Sequence, residues 1–148
     1  MNLFIASDHA GFQLKKYLLT YIKTQLKQAV ADLGPAEYKE TDDYPLIASN
    51  LAKKVAADRD AKGILICGSG HGVCMVANKI KGVRGIVGYS IEAAEMGRKD
   101  EDANVLCLAG RLLSDDHAAA IVKKFLETDF TNQERHVRRL REIEEIEI

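Results

Sequence analysis

Short runs that are apolar from end to end, each followed by a longer segment of helical period, constrain this chain more than any other feature. A strand with apolar residues at both alternating positions must be covered on both faces, which is the condition of a parallel sheet between helical layers. Leu3–Ala6 is the first such run, and Phe12–Leu26 follows with Leu14, Leu18, Tyr21 and Ile22 on one helical face. A weaker run at Ala29–Leu33 closes on Gly34-Pro35. Pro45 then opens a helix to about Val55 that turns Leu46, Ile47, Leu51 and Val55 inward. Gly63–Cys67 is the clearest central strand. A glycine-rich turn, a helix at Val73–Lys79 and a strand at Val83–Gly88 come after it. Ile91–Lys99 reads as helix, Val105–Leu108 as strand, and Ser114-Asp115-Asp116 supplies the cap for a helix over Ala118–Leu126.

This order predicts an α/β chain with a Rossmann-like, doubly wound parallel sheet and helices on both faces. Such sheets bind ligands at the carboxyl ends of their strands. No linker or internal repeat divides the 148 residues, so residues 1–148 read as a single domain. The last helix, Glu134–Ile146, is rich in charge yet keeps Val137, Leu140, Ile143 and Ile146 near helical spacing. That stripe suits packing on a partner subunit.

The 21 basic and 22 acidic residues leave a net charge of -1, so no basic face is expected for a nucleic-acid backbone. A small phosphorylated ligand, which needs only a few donors, stays open. No apolar run approaches the roughly 20 residues that span a bilayer. The N-terminus shows no basic segment ahead of an apolar one, so neither a membrane association nor a signal peptide is expected. Cys67, Cys74 and Cys107 match neither a zinc motif nor a redox pair. A reduced, cytoplasmic compartment accounts for them.

Three stretches carry chemistry. Ser7-Asp8-His9-Ala10-Gly11 follows the first strand, where a carboxylate and an imidazole can bind a sugar hydroxyl and a phosphate; capping the next helix explains Asp8 equally well. Cys67-Gly68-Ser69-Gly70-His71-Gly72 follows the central strand. Its glycines let backbone N–H groups approach a ligand, and a helix N-terminus favours an anion, a thiolate included. The pattern lacks the full dinucleotide fingerprint and the P-loop lysine, and a buried, inert cysteine is the commoner environment for Cys67 taken alone. Arg135-His136-Val137-Arg138-Arg139 and Arg111 offer guanidinium groups, Arg135 and Arg139 sharing a helix face. A solvated face balanced by Glu134, Glu142 and Glu144 is the competing account.

Taken in order, Asp8-His9-Ala10-Gly11, Asp43-Tyr44-Pro45, Gly63-Ile64-Leu65-Ile66-Cys67-Gly68-Ser69-Gly70, Ala77-Asn78-Lys79, Asn104-Val105-Leu106 and Arg135-His136 resemble type B ribose-5-phosphate isomerases. Relatives of that family include the subunits of galactose-6-phosphate isomerase. The resemblance covers almost the whole chain. It implies aldose–ketose isomerisation of a sugar phosphate through an enediolate, without metal or cofactor. Cys67 matches the proton-transferring base, Ser69 a hydroxyl beside the enediolate, and the backbone of Gly70 to Gly72 an oxyanion site. Asp8, His9, Tyr44 and Gly68 match substrate-binding positions, and Arg111, Arg135 and Arg139 match phosphate ligands. The family's assembly, a homodimer or a dimer of dimers, shares each site between two chains.

Three positions depart from the pattern. Asp100 stands where the family has the histidine that helps open the sugar ring, and Glu101 where it has asparagine. His71 occupies a loop position that is normally small or aliphatic. An imidazole four residues from Cys67 is therefore a candidate to share in ring opening. A six-carbon substrate, or a sugar-phosphate-binding subunit without catalysis, are the alternatives these departures raise.

Overall fold

Strict alternation along the buried strands sorts the side chains of this protein into two core layers, one on each face of a single sheet. The computed structural model describes residues 1–148. Its strands are β1 (Leu3–Ser7), β2 (Ala31–Asp32), β3 (Lys62–Cys67), β4 (Gly85–Val87) and β5 (Val105–Ala109), all parallel, in the order β2-β1-β3-β5-β4. The helices are α1 (Phe12–Thr24), α2 (Tyr44–Ala56), α3 (His71–Ala77), α4 (Ile91–Glu101), α5 (Asp115–Glu127) and α6 (Glu134–Ile146), with a short 3-10 turn at His9–Gly11.

Leu3, Ile5, Ile64, Ile66, Leu106 and Leu108 point to one face and meet α1, α4 and α5. Ala6, Leu65, Cys67, Val105 and Cys107 point to the other and meet α2 and α3. The period of two along each strand produces this division. From β1 the chain runs outward to β2 and then crosses back past β1 to β3. The winding therefore reverses between β1 and β3, and the helices that follow them, α1 and α3, lie on opposite faces of the sheet there.

Several expected boundaries move. The run at Ala29–Leu33 is strand only at Ala31 and Asp32, although Leu33 N–H still donates to the Ile5 carbonyl, because an exposed edge has one neighbour to bond and little apolar surface to bury. The first helix stops at Thr24, and α3 begins at His71 and ends at Ala77, two residues earlier at each end than expected. The expected strand Val83–Gly88 contracts to Gly85–Val87. Leu46, expected to point inward, is 69% exposed. It lies in the first turn of α2, and the stripe that meets the sheet passes instead through Ala48, Leu51, Ala52 and Val55. The last helix keeps the expected bounds. It packs on its own chain through His136 and Leu140, while Ile143 and Ile146 are left exposed. No helix is long and apolar enough to cross a membrane.

One buried charge joins the outer strand to the sheet. Lys15 is 1% exposed, and its Nζ donates to Asp32 Oδ1 at 2.8 Å and to the Pro35 carbonyl at 2.6 Å. Lys15→Ala strands the acceptors and removes a packed aliphatic stem, so a loss of about 3 kcal/mol is expected in chemical denaturation. An unchanged denaturation midpoint would show that the contact contributes nothing.

Candidate active site

The loops that leave β1, β3 and β5 converge on a cleft of about 450 Å³ at the carboxyl edge of the sheet. Each loop arrives with its first residues tied to its neighbour. Asp8 N–H donates to the Ile66 carbonyl at 3.1 Å, Gly110 N–H to the Cys67 carbonyl at 2.7 Å, and Arg111 N–H to the Gly68 carbonyl at 3.1 Å. The ladder thus continues beyond the last strand residues and sets Asp8, Cys67 and Arg111 side by side.

Asp8 fills the capping role that its position suggested and remains placed to meet a ligand. Its Oδ1 accepts the Gly11 N–H at 3.1 Å, capping the 3-10 turn, and its carboxylate still lines the cleft at 6% exposure. His9 follows, and the Oδ1 of Asp42 accepts both its backbone N–H at 2.9 Å and its Nδ1 at 2.8 Å. That hydrogen bond raises the His9 pKa above its ordinary value; Asp8 adds to the effect, while desolvation and the Arg111 charge oppose it. Asp8, His9 and Asp42 bring their ligand-type atoms within 4.8 Å of one another.

Cys67 ends β3 on the α2/α3 side, buried except for its cleft edge, and its Sγ receives the Gly70 N–H at 3.2 Å. A hydrogen bond of this kind strengthens when the sulfur is anionic. His71 N–H donates to Ser69 Oγ at 3.3 Å, so two of the N–H groups expected to face a ligand are engaged within the loop. The glycines answer a steric demand more than one of ligand approach. Gly70 has φ of 79°, a left-handed conformation, and a Cβ at Gly72 would come within 2.7 Å of the Tyr44 ring. Only glycine at 72 lets Tyr44, from the start of α2, close over the thiol's loop.

Cys67, Ser69, Asp8, His9, Tyr44, Gly68, Gly72 and Arg111 therefore share one cleft. Gly70, whose backbone holds the thiol, lies just beneath it. The remaining candidates lie elsewhere in the chain. His71 is exposed and lines an adjoining depression with Cys74, Met75 and Val87. Asp100 lies at the end of α4, 3.4 Å from Nε2 of the buried His136. Glu101 lines a groove with Leu140, Ile143 and Ile146, and Arg135 and Arg139 are exposed on α6. Of the acidic partners considered for the arginines of α6, only Glu142 pairs, with Arg138 at 4.0 Å.

Two motif segments turn out to be scaffold. Asn78 bonds Gly85 in both directions, at 3.0 and 2.8 Å, and Asn104 bonds the Gly82 carbonyl and the Arg84 N–H at 2.9 and 2.7 Å. Both asparagines lock the entry to β4. Asp102, held by Arg84 and Arg98 at 3.0 Å each, fixes the left-handed residue that ends α4. Asp42 was not singled out by sequence reasoning, and His136 appeared there only as a motif member with no role assigned. Asp42 adjoins the Asp43-Tyr44-Pro45 motif, but its partner is 33 residues away. Cys107 lies in the core, and burial pushes its thiol well above the ordinary range.

A thiol, a carboxylate, an imidazole and a guanidinium at the switch point of a doubly wound sheet are the equipment of an enzyme for a small anionic substrate. Comparison with known proteins narrows that class. The ribose/galactose isomerase family model matches residues 3–143. A probable ribose-5-phosphate isomerase B of Mycoplasma genitalium is 46% identical over 96% of this chain and 93% of its own. The crystal structure of the ribose-5-phosphate isomerase B of that organism, with bound ribulose 5-phosphate, superposes with a TM-score of 0.93 over 97% of this chain and 94% of that one, at 45% identity. The enzyme of Thermotoga maritima superposes at 0.92, over 98% of each chain, at 35% identity. The chain belongs to the ribose/galactose isomerase family. It is an aldose–ketose isomerase acting on a sugar phosphate.

Proposed function

We propose that this chain interconverts ribose 5-phosphate and ribulose 5-phosphate, with Cys67 as the base that carries a proton between C2 and C1. The observation that carries the reading is the thiol of Cys67 in one cleft with Arg111 and His9. A base and cationic phosphate ligands within a single hollow suit a short, phosphorylated sugar. The 45% identical relative solved with ribulose 5-phosphate bound supports the choice of a five-carbon substrate.

In this scheme the thiolate, held by the Gly70 N–H, removes the C2 proton of the open-chain aldose. The resulting enediolate is stabilised by the Ser69 hydroxyl and loop dipoles, the O2 hydroxyl proton passes to O1, and the thiol returns the carbon-bound proton to C1. Asp8 and Tyr44 bind sugar hydroxyls, and His9 and Arg111 bind phosphate. The cleft of one chain lacks Asp100, Glu101, Arg135 and Arg139, which supports a homodimer whose second copy brings them. Ring opening is then shared by Asp100 of that copy and His71 from the depression beside the cleft.

A six-carbon substrate is the second reading, favoured by the family's span over galactose isomerases and by Asp100 and Glu101 in place of the resemblance's histidine and asparagine. A panel of aldose phosphates separates the two. Ribose 5-phosphate is expected to give at least about tenfold higher kcat/KM than allose or galactose 6-phosphate, the scale on which a built site rejects a poorly fitting analogue. The reverse ranking moves the assignment to a hexose phosphate, and binding without ketose formation leaves a non-catalytic subunit.

A further inference from the structure

Asp42 has no part in the scheme above and does not line the cleft, yet it is the carboxylate that holds His9, which does. It arrives from the loop that precedes α2, 33 residues after His9. One oxygen, Oδ1, accepts both the backbone N–H and the ring Nδ1 of His9, at 2.9 and 2.8 Å. Two bonds from one residue onto one acceptor fix the position of the His9 backbone and the rotation of its ring. The Asp42 side chain is 10% exposed, and its second oxygen is buried with no partner. An ionised carboxylate can only accept, so Nδ1 must carry a proton and Nε2 is the ring atom left for the cleft.

We propose that Asp42 is a positioning residue that holds His9 as an Nδ1-protonated, cationic imidazole, so that Nε2–H and the Arg111 guanidinium together grip the substrate's phosphate. The inference rests on the sugar-phosphate reading of the site. Buried carboxylates need a compensating partner, and His9 is the only one Asp42 has. The groups facing His9 are Asp8 on its own turn, Asp42 from the loop before α2, Arg111 from the loop after β5, and the Tyr38 ring edge-on at 6.4 Å. Asp8 adds a second negative charge, but it is committed to the Gly11 N–H. Arg111 works against a charged imidazole. Without Asp42 the ring would lie beside a guanidinium with one carboxylate, and the neutral form would gain.

A cationic His9 makes phosphate binding sensitive to pH in one direction. Its pKa is raised in the folded protein, so the cation is present below that value and is lost as pH rises through it. Asp42→Asn keeps the size of the side chain and an acceptor oxygen while removing the charge. The alkaline limb of kcat/KM is then expected to move to lower pH. The loss, entering through KM with kcat little changed, should reach about tenfold on the alkaline side of the His9 titration and be much smaller on its acid side. The ratio of the two enzymes cancels the titration of the substrate's own phosphate.

The test pairs these profiles with nitrogen-15 spectra of the imidazole in the ligand-free protein. In the wild type, His9 should titrate above the ordinary histidine value with Nδ1 protonated, and Asp42→Asn should lower that titration. In a His9→Gln background, Asp42→Asn should add little further loss. An equal loss at every pH, an equal loss in the His9→Gln background, or an unmoved His9 titration overturns the proposal. If the wild type fails to convert ribose 5-phosphate, the functional reading falls, and the spectra of the free protein still decide what Asp42 does to His9.

Discussion

Cys67→Ala is expected to abolish isomerisation while leaving sugar-phosphate binding nearly intact. Removal of a positioned general base typically lowers turnover by about 10²–10⁴-fold, and no other thiol reaches the cleft. Cys74 and Cys107 are buried on the same side of the sheet but line no part of it. The proposed phosphate ligands His9 and Arg111 do not depend on the sulfur, because their loops are tied by backbone bonds to β3 and by Asp42. Calorimetric titration with ribulose 5-phosphate should therefore give a dissociation constant within a few-fold of the wild type. Turnover of the variant within tenfold of the wild type ends the assignment of the base. A loss of binding equal to the loss of turnover would mean that the substitution had disturbed the loop and not the chemistry.

The second large effect concerns the residues that a single chain leaves far from its cleft. Arg139→Ala should raise KM by about 10–100-fold, the cost of a charge-assisted contact to phosphate, with a smaller change in kcat. Arg139 is exposed on α6 and does not line its own cleft, so the effect must act across a dimer. Mixing the two inactive or weakened variants tests this directly. A population of Cys67→Ala and Arg139→Ala chains that exchange freely contains hybrid dimers, in which one site holds both defects and the other neither. Random pairing makes about half the dimers hybrids, so about a quarter of wild-type activity should return at low substrate. No recovery after verified exchange, or full activity of a monomer in sedimentation, contradicts the shared site.

Much of the candidate site was legible because its pieces are local. Asp8-His9 and Cys67-Gly68-Ser69 each follow a strand that the apolar pattern marks, and a parallel sheet delivers all such loops to one edge. The glycines were legible as a signal but not as a cause. That Gly72 makes room for Tyr44, and that the Gly70 N–H is committed to the thiol, are facts of packing between segments far apart in the chain. Asn78 and Asn104 matched the family pattern as strongly as any site residue, yet they bond backbone around β4. Motif membership does not separate scaffold from site, because both are constrained.

The sequence by itself determined the fold class and the elements that carry chemistry, since burial on both faces requires unbroken apolar strands and the helices between them are long enough to cross over the sheet. It determined the bounds of α6 too, whose charges and apolar stripe repeat at helical spacing. Only the tertiary structure decided which candidates meet. Asp42 reaches His9 across 33 residues, and Asp100 faces the buried His136 instead of Cys67. Side-chain pairs of that kind depend on where loops land once the sheet has closed, and nothing periodic in the chain records it. Leu46 shows the same limit on the core: an apolar residue at a helix start is buried or exposed according to how far the helix overhangs the sheet.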